Sequence, residues 1–335
     1  MLWHSRLPTC FSGCGGFSEG FRQAGYDIVF ANDFWEPAIK SYQHNQKDVI
    51  FSGKDIRALS VKEILDSTGL DKDDFDIVVG GPPCQGFSLA GIRRHDDPRN
   101  GLWQEFFRIV DFLRPKIVVM ENVRGILTMP TNGQPRVMDL VERKFSGIGY
   151  QLNYKVLNAA DYGVPQIRRR VITIANNIGI ENGMLFPPAT HAPPEIANEV
   201  GLKPYVTVQE SIMDLANKED PDDAFNHSVM NHSKRVARRL SKIPEGGKFR
   251  EKVFSFVYQR LRRDCPSITL VPGHSAFPVH PTLNRTLTVR EAARLQSFPD
   301  CYKFFGSRVN QGLQVGNAVP PLLSKAMAKR LKKFL

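Results

Sequence analysis

Through the first 180 residues, short apolar runs alternate with amphipathic stretches, and this rhythm restricts the fold more than any other feature of the chain. Strands are expected at Tyr26–Ala31, Ile77–Gly80, Ile117–Glu121 and Val171–Ala175. Between them Leu102, Phe106, Ile109, Val110 and Leu113 form one apolar stripe, so Leu102–Leu113 reads as a helix laid on a sheet. Such alternation predicts an α/β fold with a parallel sheet. Near Leu185 the rhythm stops: Phe186-Pro187-Pro188 and His191-Ala192-Pro193-Pro194 mark a boundary, and the pattern stays irregular to about Pro281. Helix signals then return. Thr288, with Glu291 three residues on, caps a helix expected over Val289–Ser297, and Ala318–Phe334 reads as a last amphipathic helix with basic residues near its end.

The five cysteines, Cys10, Cys14, Cys84, Cys265 and Cys301, are odd in number and lack paired spacings. Neither a disulfide framework nor a zinc site is expected, and no other metal is called for. No apolar run approaches the ~20 residues that span a bilayer, and Met1–Leu7 lacks a signal-peptide core, so a cytoplasmic protein is expected. The formal charge of +11 is unevenly spread. Asn231–Cys265 holds eleven Lys or Arg against three acids, while Glu195–Phe225 holds eight acids against two bases. A block of positive charge is an electrostatic footprint for a phosphate backbone.

Chemistry-bearing residues sit where the apolar runs end. Phe11-Ser12-Gly13-Cys14-Gly15-Gly16 lies between a short strand and a helical stretch, either as a plain tight turn or as a backbone cradle for a ligand. Asp33, after the second strand, is placed to bond ribose hydroxyls; Phe34 beside it could stack on a base, and Asp55 could reach an adenine amino group or simply be solvated. The run Ile77-Val78-Val79-Gly80-Gly81-Pro82-Pro83 breaks sharply and presents Cys84 and Gln85 in a loop at a strand's carboxyl end, a setting for a nucleophile. Glu121 ends the next apolar run, as a capping residue or as an acid facing the same crevice. Arg168 and Arg170, leading a strand at alternate positions, share a face, as surface charge, a phosphate clamp or support for the thiolate.

The set, taken in order, resembles the DNA (cytosine-5) methyltransferase family. Phe11–Gly16, Pro83-Cys84-Gln85, Glu121-Asn122-Val123 and Gln166–Arg170 follow the family's succession. Arg285–Pro299 and Gln314–Pro321 complete it, leaving 186–281, with the basic block, where the family keeps its variable recognition region. One departure is Thr9, where many members carry an acid just before the Gly-rich loop. The resemblance implies a Rossmann-like S-adenosylmethionine-dependent fold with a mixed, mostly parallel seven-stranded sheet and a smaller target-recognition domain. The expected division is a catalytic domain over 1–184, a DNA-binding domain over 185–305 and a C-terminal segment, 306–335, returning to the catalytic domain.

It further implies that S-adenosylmethionine, leaving as S-adenosylhomocysteine, contacts Phe11, Gly13, Gly15, Gly16, Asp33, Phe34, Asp55, Ile56, Pro83, Leu102, Asn317, Ala318 and Val319. Cys84, Glu121, Arg168, Arg170 and Gln85 would carry the chemistry. Lys234, Arg235, Arg238, Arg239, Ser88 and Gln166 would meet double-stranded DNA, with the first four on a helix whose other face carries Val236, Leu240 and Ile243. Arg290 and Arg294 are expected to be structural. The tRNA-methylating branch of the family typically carries Cys-Phe-Thr in its recognition region, whereas Cys265 is followed by Pro266-Ser267. A compact chain of this kind resembles a bacterial or phage modification enzyme: a monomer associated with the nucleoid through DNA, and genetically linked to a restriction endonuclease.

Overall fold

The computed structural model describes residues 5–83, 101–128, 136–181, 183–218, 220–250, 257–271 and 277–335, apart from the side chains of Arg250 and Val257. Cys84, Gln85 and Ser88 lie outside these residues. Two compact units are present: Met1–Asn158 with Arg169–Pro188 and Ser324–Leu335, and Ala159–Arg168 with Ala189–Leu323.

The first unit is built on strands β1 (Arg6–Cys10), β2 (Asp27–Asn32), β3 (Ile50–Ser52), β4 (Ile77–Gly80), β5 (Ile117–Asn122), β6 (Gln151–Asn158) and β7 (Arg169–Asn176). They form one seven-stranded sheet in the order β3-β2-β1-β4-β5-β7-β6. Pairings from β3 through β5 are parallel, and β7 runs antiparallel to both β5 and β6, so the sheet is mixed and mostly parallel as expected. Strands β4 and β5 are near-continuous Val and Ile runs because a parallel strand covered on both faces has no wet side to alternate with.

Helices α1 (Gly16–Gln23), α2 (Glu36–Asn45), α3 (Val61–Thr68), α4 (Leu102–Leu113) and α5 (Val137–Gly147) connect the strands. Helix α4 has the expected bounds and buries Leu102, Trp103, Phe106, Phe107, Ile109, Val110 and Leu113 in the main core. Its approach to β4 requires glycine at position 80, where a Cβ would stand 2.5 Å from the Phe106 ring and 3.1 Å from the Cys10 carbonyl oxygen.

The second unit holds short helices α6 (Pro194–Ala197), α7 (Val208–Ile212), α8 (Lys234–Leu240), α9 (Val289–Leu295) and α10 (Arg308–Asn317). Two small sheets join them: β8 (His191–Ala192) with β9 (Lys203–Pro204), and β10 (Lys248–Arg250) with β11 (Val257–Gln259). The expected capping box is present, with the Thr288 side chain accepting from the Glu291 amide and the Glu291 carboxylate accepting from the Thr288 amide. Helix α9 packs against α7 and α10. Arg290 within it is buried, donates to the carbonyls of Phe225, Pro299 and Tyr302, and is pushed down to about 10 by that burial.

Two expected element bounds are corrected. The last helix is α11 (Pro321–Leu331) rather than Ala318–Phe334: Ala318 is extended, and the paired prolines hold back the residues before them and then start a helix well. Helix α9 ends at Leu295, because Ser297 turns left-handed at φ 65°. In the first unit the later part of α11 bonds to α1 and the residue before β2, through Ser324 Oγ to the Phe17 carbonyl (2.7 Å) and the Tyr26 hydroxyl to the Ala328 carbonyl (3.2 Å).

Candidate active site

At the carboxyl end of β1 the chain turns through left-handed conformations at Phe11 (φ 53°), Gly13 (φ 53°) and Gly15 (φ 95°), the last serving as N-cap of α1. A bulky residue with positive φ is uncommon and marks a turn fixed by its surroundings. The Gly13 amide donates to Asp33 Oδ2 at 2.8 Å and the Trp35 amide to Oδ1 at 2.9 Å, so the acid after β2 is locked against the Gly-rich turn. Burial pushes the Asp33 carboxyl above its ordinary range, opposed by these amides. Phe34 stands out of the surface beside it, 62% exposed. Thr9 joins a buried hydroxyl chain instead of supplying charge: it lies 2.7 Å from Ser12 Oγ and 3.5 Å from Ser18 Oγ, which in turn accepts from the Tyr42 hydroxyl at 2.8 Å.

Asp55 follows β3 by three residues and is gripped by Arg57, whose Nη2 and Nε reach its two oxygens at 2.6 and 3.0 Å. That pairing holds the Asp55 carboxyl below its ordinary range. Ile56 and Leu102, both expected at the cofactor, are buried in the core of this unit.

At the ends of β4 and β5 the polar residues converge. Asn122 Nδ2 donates to the Pro82 carbonyl at 3.2 Å while its Oδ1 accepts from the Val123 amide at 2.8 Å. The loop leading into Cys84 is thereby tied to the tip of β5. A Cβ on Gly81 would lie 3.9 Å from Glu121 Oε2, so that carboxylate faces the same loop. Across the β5–β7 pairing, Arg170 Nε stands 2.9 Å from Glu121 Oε1, with the two side chains only 13% and 12% exposed. A pair so shielded from water is hard to break, because losing either partner strands the other charge. Cys10 and Cys14 are unsuited to nucleophilic work: burial pushes both thiols up to about 12, leaving negligible thiolate near neutrality.

Two residues of the Gln-x-Arg-x-Arg stretch behave differently from expectation. Strand β7 begins at Arg169, so Arg168 lies before it. Arg168 is buried in the second unit and donates to the carbonyls of Leu270 (3.3 Å), Gly316 (2.9 Å) and Ala318 (3.1 Å). Its guanidinium braces the segment that carries Asn317, Ala318 and Val319. Gln166, expected at DNA, is also buried: its Nε2 donates to the Leu295 carbonyl and Gln296 Oε1, and its Oε1 accepts from the Leu270 amide. Alternation in sequence suggested that Arg168 and Arg170 share one face, but Arg168, like Gln166, is claimed by main-chain groups more than 100 residues away. Of the two arginines, only Arg170 meets the Glu121 carboxylate.

In the second unit α8 presents Lys234, Arg235 and Arg238 to solvent with Arg239 half-buried, while Leu240 and Ile243 pack on Val279, with Val236 and Tyr258 alongside. The apolar face is the expected one. The basic block is less available than its charge suggests. Arg260, 4% exposed, donates to the carbonyls of Leu240, Ile243, His280, Pro281 and Leu283. Arg262 is paired with Asp264 and Arg263 with Glu245. Among the described residues no group of three or more His, Cys, Asp or Glu side chains is disposed to hold a metal ion, and no helix is long and apolar enough to cross a membrane.

Comparison with known proteins agrees with this geometry. The family model for C-5 cytosine-specific DNA methylase matches residues 9–333. A Type II methyltransferase of Desulfomicrobium norvegicum, M.DdeI, is 36% identical over 97% of this chain and 88% of its own. M1.HphI of Haemophilus parahaemolyticus, another Type II methyltransferase, is 38% identical over 97% and 86%. Among solved structures, an E. coli protein described as a DNA modification methyltransferase encoded within a prophage superposes with TM-score 0.79 at 26% identity, covering 98% of this chain and 99% of that one. The Dnmt2 methyltransferase of S. pombe shares the fold at TM-score 0.69 and 17% identity, with 99% of each chain covered. The chain belongs to the C-5 cytosine-specific DNA methylase family and is a DNA cytosine-5 methyltransferase.

Proposed function

We propose that this enzyme methylates a flipped-out cytosine within a specific duplex sequence through a covalent Cys84 adduct, as the modification half of a restriction-modification system. The observation that carries the reading is the Glu121–Arg170 pair at the tip of β5, set against the Gly81–Pro83 loop that leads directly into Cys84.

Carbon 5 of cytosine is too electron-poor to attack an alkyl donor unaided. The Cys84 thiolate adds to carbon 6, forming an S–C bond and pushing ring electrons toward carbon 5. Glu121 hydrogen-bonds or protonates the ring nitrogen beside the carbonyl as the thiolate adds, and Arg170 fixes the carboxylate's position. Carbon 5, made nucleophilic in this way, takes the methyl group with that electron pair, and loss of its proton to a base then lets the S–C6 bond break, releasing the thiolate and restoring the aromatic ring. Gln85 lies next to the nucleophile and belongs to the same catalytic loop. Because carbon 6 is shielded within the stack, the base must leave the duplex first.

S-adenosylmethionine supplies an electrophilic methyl group on a sulfonium. Features of this chain fit it: nothing lies within 4 Å of a Cβ placed on Gly13, Asp33 is held in place by two amides, and Phe34 is free to stack. Phe11, Gly15, Gly16, Asp55, Ile56, Pro83, Leu102, Asn317, Ala318 and Val319 belong to the cofactor residues in this reading. Lys234, Arg235, Arg238 and Arg239 on α8 meet DNA phosphates, which position the protein without reading sequence, and Ser88 approaches the DNA from the catalytic loop. The names of its Type II relatives support the modification role, and with it a linked endonuclease. The protein is proposed to act in the cytoplasm as a monomer on nucleoid DNA.

Duplex DNA carrying 5-fluorocytosine tests the mechanism, since fluorine blocks the last elimination. With S-adenosylmethionine present, a denaturation-resistant adduct is expected for the parent and none for Cys84→Ser. An adduct on fluorinated tRNA but not on mixed-sequence DNA would overturn the proposal.

A further inference from the structure

The loop after β3 carries Asp55, whose Oδ1 accepts from the Arg57 amide at 2.9 Å, and Ile56, which is buried in the core. Two side chains from elsewhere in the first unit hold the loop's main chain as well. Asn32, buried at the end of β2, donates through Nδ2 to the carbonyls of Ser52 (3.0 Å) and Lys54 (2.8 Å). Arg108, on α4, donates through Nη2 to the carbonyls of Ile56 and Leu59, each at 2.9 Å. Its Nε is held by Glu105 Oε2 at 2.8 Å, so the guanidinium is itself oriented. Every one of these four acceptors is a main-chain carbonyl, and they lie on both sides of Asp55 in sequence.

Resting on the reading that Asp55 meets the adenine amino group, we propose that Arg108, opposite Asn32, is a positioning residue that sets the enzyme's discrimination for adenine. A carboxylate tells an amino group from a carbonyl only if it is fixed. It accepts a hydrogen bond from the first and confronts the lone pairs of the second, but a mobile carboxylate can turn away from the clash. Arg57 fixes the Asp55 side chain with respect to its own loop. Asn32 and Arg108 fix that loop with respect to β2 and α4. Arg108 is the member open to test, because its side chain is 39% exposed.

The experiment compares binding of S-adenosylhomocysteine with that of its inosine analogue, in which a 6-oxo group replaces the 6-amino group. The proteins are the parent, Arg108→Met, Arg108→Lys and Asp55→Ala, with the melting temperature of each without ligand as a check on folding. The parent is expected to prefer the adenine ligand by about a hundredfold and Arg108→Met to narrow that ratio by about tenfold, since a site with a fixed polar partner rejects mismatched ligands strongly. Arg108→Lys, able to reach one carbonyl rather than two, falls between. In turnover the KM for S-adenosylmethionine rises in Arg108→Met while kcat changes little. Narrowing in both Arg108→Met and Asp55→Ala upholds the proposal. Narrowing in Asp55→Ala alone, or an equal weakening of both ligands in Arg108→Met, overturns the role of Arg108 and leaves the Asp55 reading intact. Narrowing in neither overturns the Asp55 reading itself, and the proposal with it.

Discussion

Two regions of this molecule hold ionised side chains, and they use them in opposite ways. At the ends of β4, β5 and β7 one carboxylate and one guanidinium meet in near-complete shelter, beside the Gly81–Pro83 loop that leads into Cys84. Between Asn231 and Cys265 eleven bases compete for roles, and the structure takes several of them out of service. Arg260 is enclosed by carbonyls, and Arg262 and Arg263 are matched to acids. In the first region the position of the strand tips decides what a charge can do. In the second, the number of charges says little until each partner is known. Place in the fold, rather than density of charge, makes an ionised residue useful here.

The sharpest way to break this contrast is at the strand tips. Glu121→Gln keeps the shape and removes the carboxylate, and kcat is expected to fall by about 10²–10⁴-fold, the usual contribution of a positioned acid or base. Adduct formation on 5-fluorocytosine DNA would slow in parallel. A loss below tenfold would mean that this pair is a structural strut and that the two regions do not differ as described.

Next in size is Arg260→Met, which should act on folding rather than on DNA. Removing a buried hub that satisfies five carbonyls is expected to cost roughly 3–5 kcal/mol, visible as a lower denaturant midpoint. If stability were unchanged and DNA affinity fell, Arg260 would have to be counted among the phosphate-binding residues. The smallest effects separate the remaining bases. The triple change Lys234→Ala, Arg235→Ala and Arg238→Ala should flatten the salt dependence of DNA binding by about two to three in log–log slope, or about 0.9 for each phosphate no longer neutralised. The double change Arg262→Ala and Arg263→Ala should move it by less than one, because surface pairs of this kind are worth about 0–1 kcal/mol and already occupy their charges. Equal slopes for the two variants would erase the distinction.

Much of the first region was legible in sequence because its signals are local. An apolar run that stops at Glu121-Asn122, another that stops at Gly80-Gly81-Pro82-Pro83, and a stripe at helical spacing from Leu102 to Leu113 each state where the main chain turns. The capping box at Thr288 is equally local. The break at Pro320-Pro321 was there to be read, and the periodicity of the following residues obscured it. What sequence could not show is the destination of long polar side chains. Arg168 and Arg170 alternate as residues on one strand face do, yet Arg168, like Gln166, is bonded to main chain around 270, 295 and 316. Arg108 and Arg260 look like ordinary surface bases until the carbonyls they meet are known.

The hairpin between β6 and β7 has a consequence for inheritance. The strands end at Asn158 and resume at Arg169, and the ten residues between them belong to the other unit. Gln166 and Arg168 sit in that short excursion and brace main chain from Leu270 to Ala318. The piece that recombination could move intact is therefore discontinuous. A crossover taking only 189–323 from a relative would pair a new second unit with an old set of struts. Shuffling between such enzymes should succeed most often when both segments travel together, or when donor and recipient already agree at these two side chains.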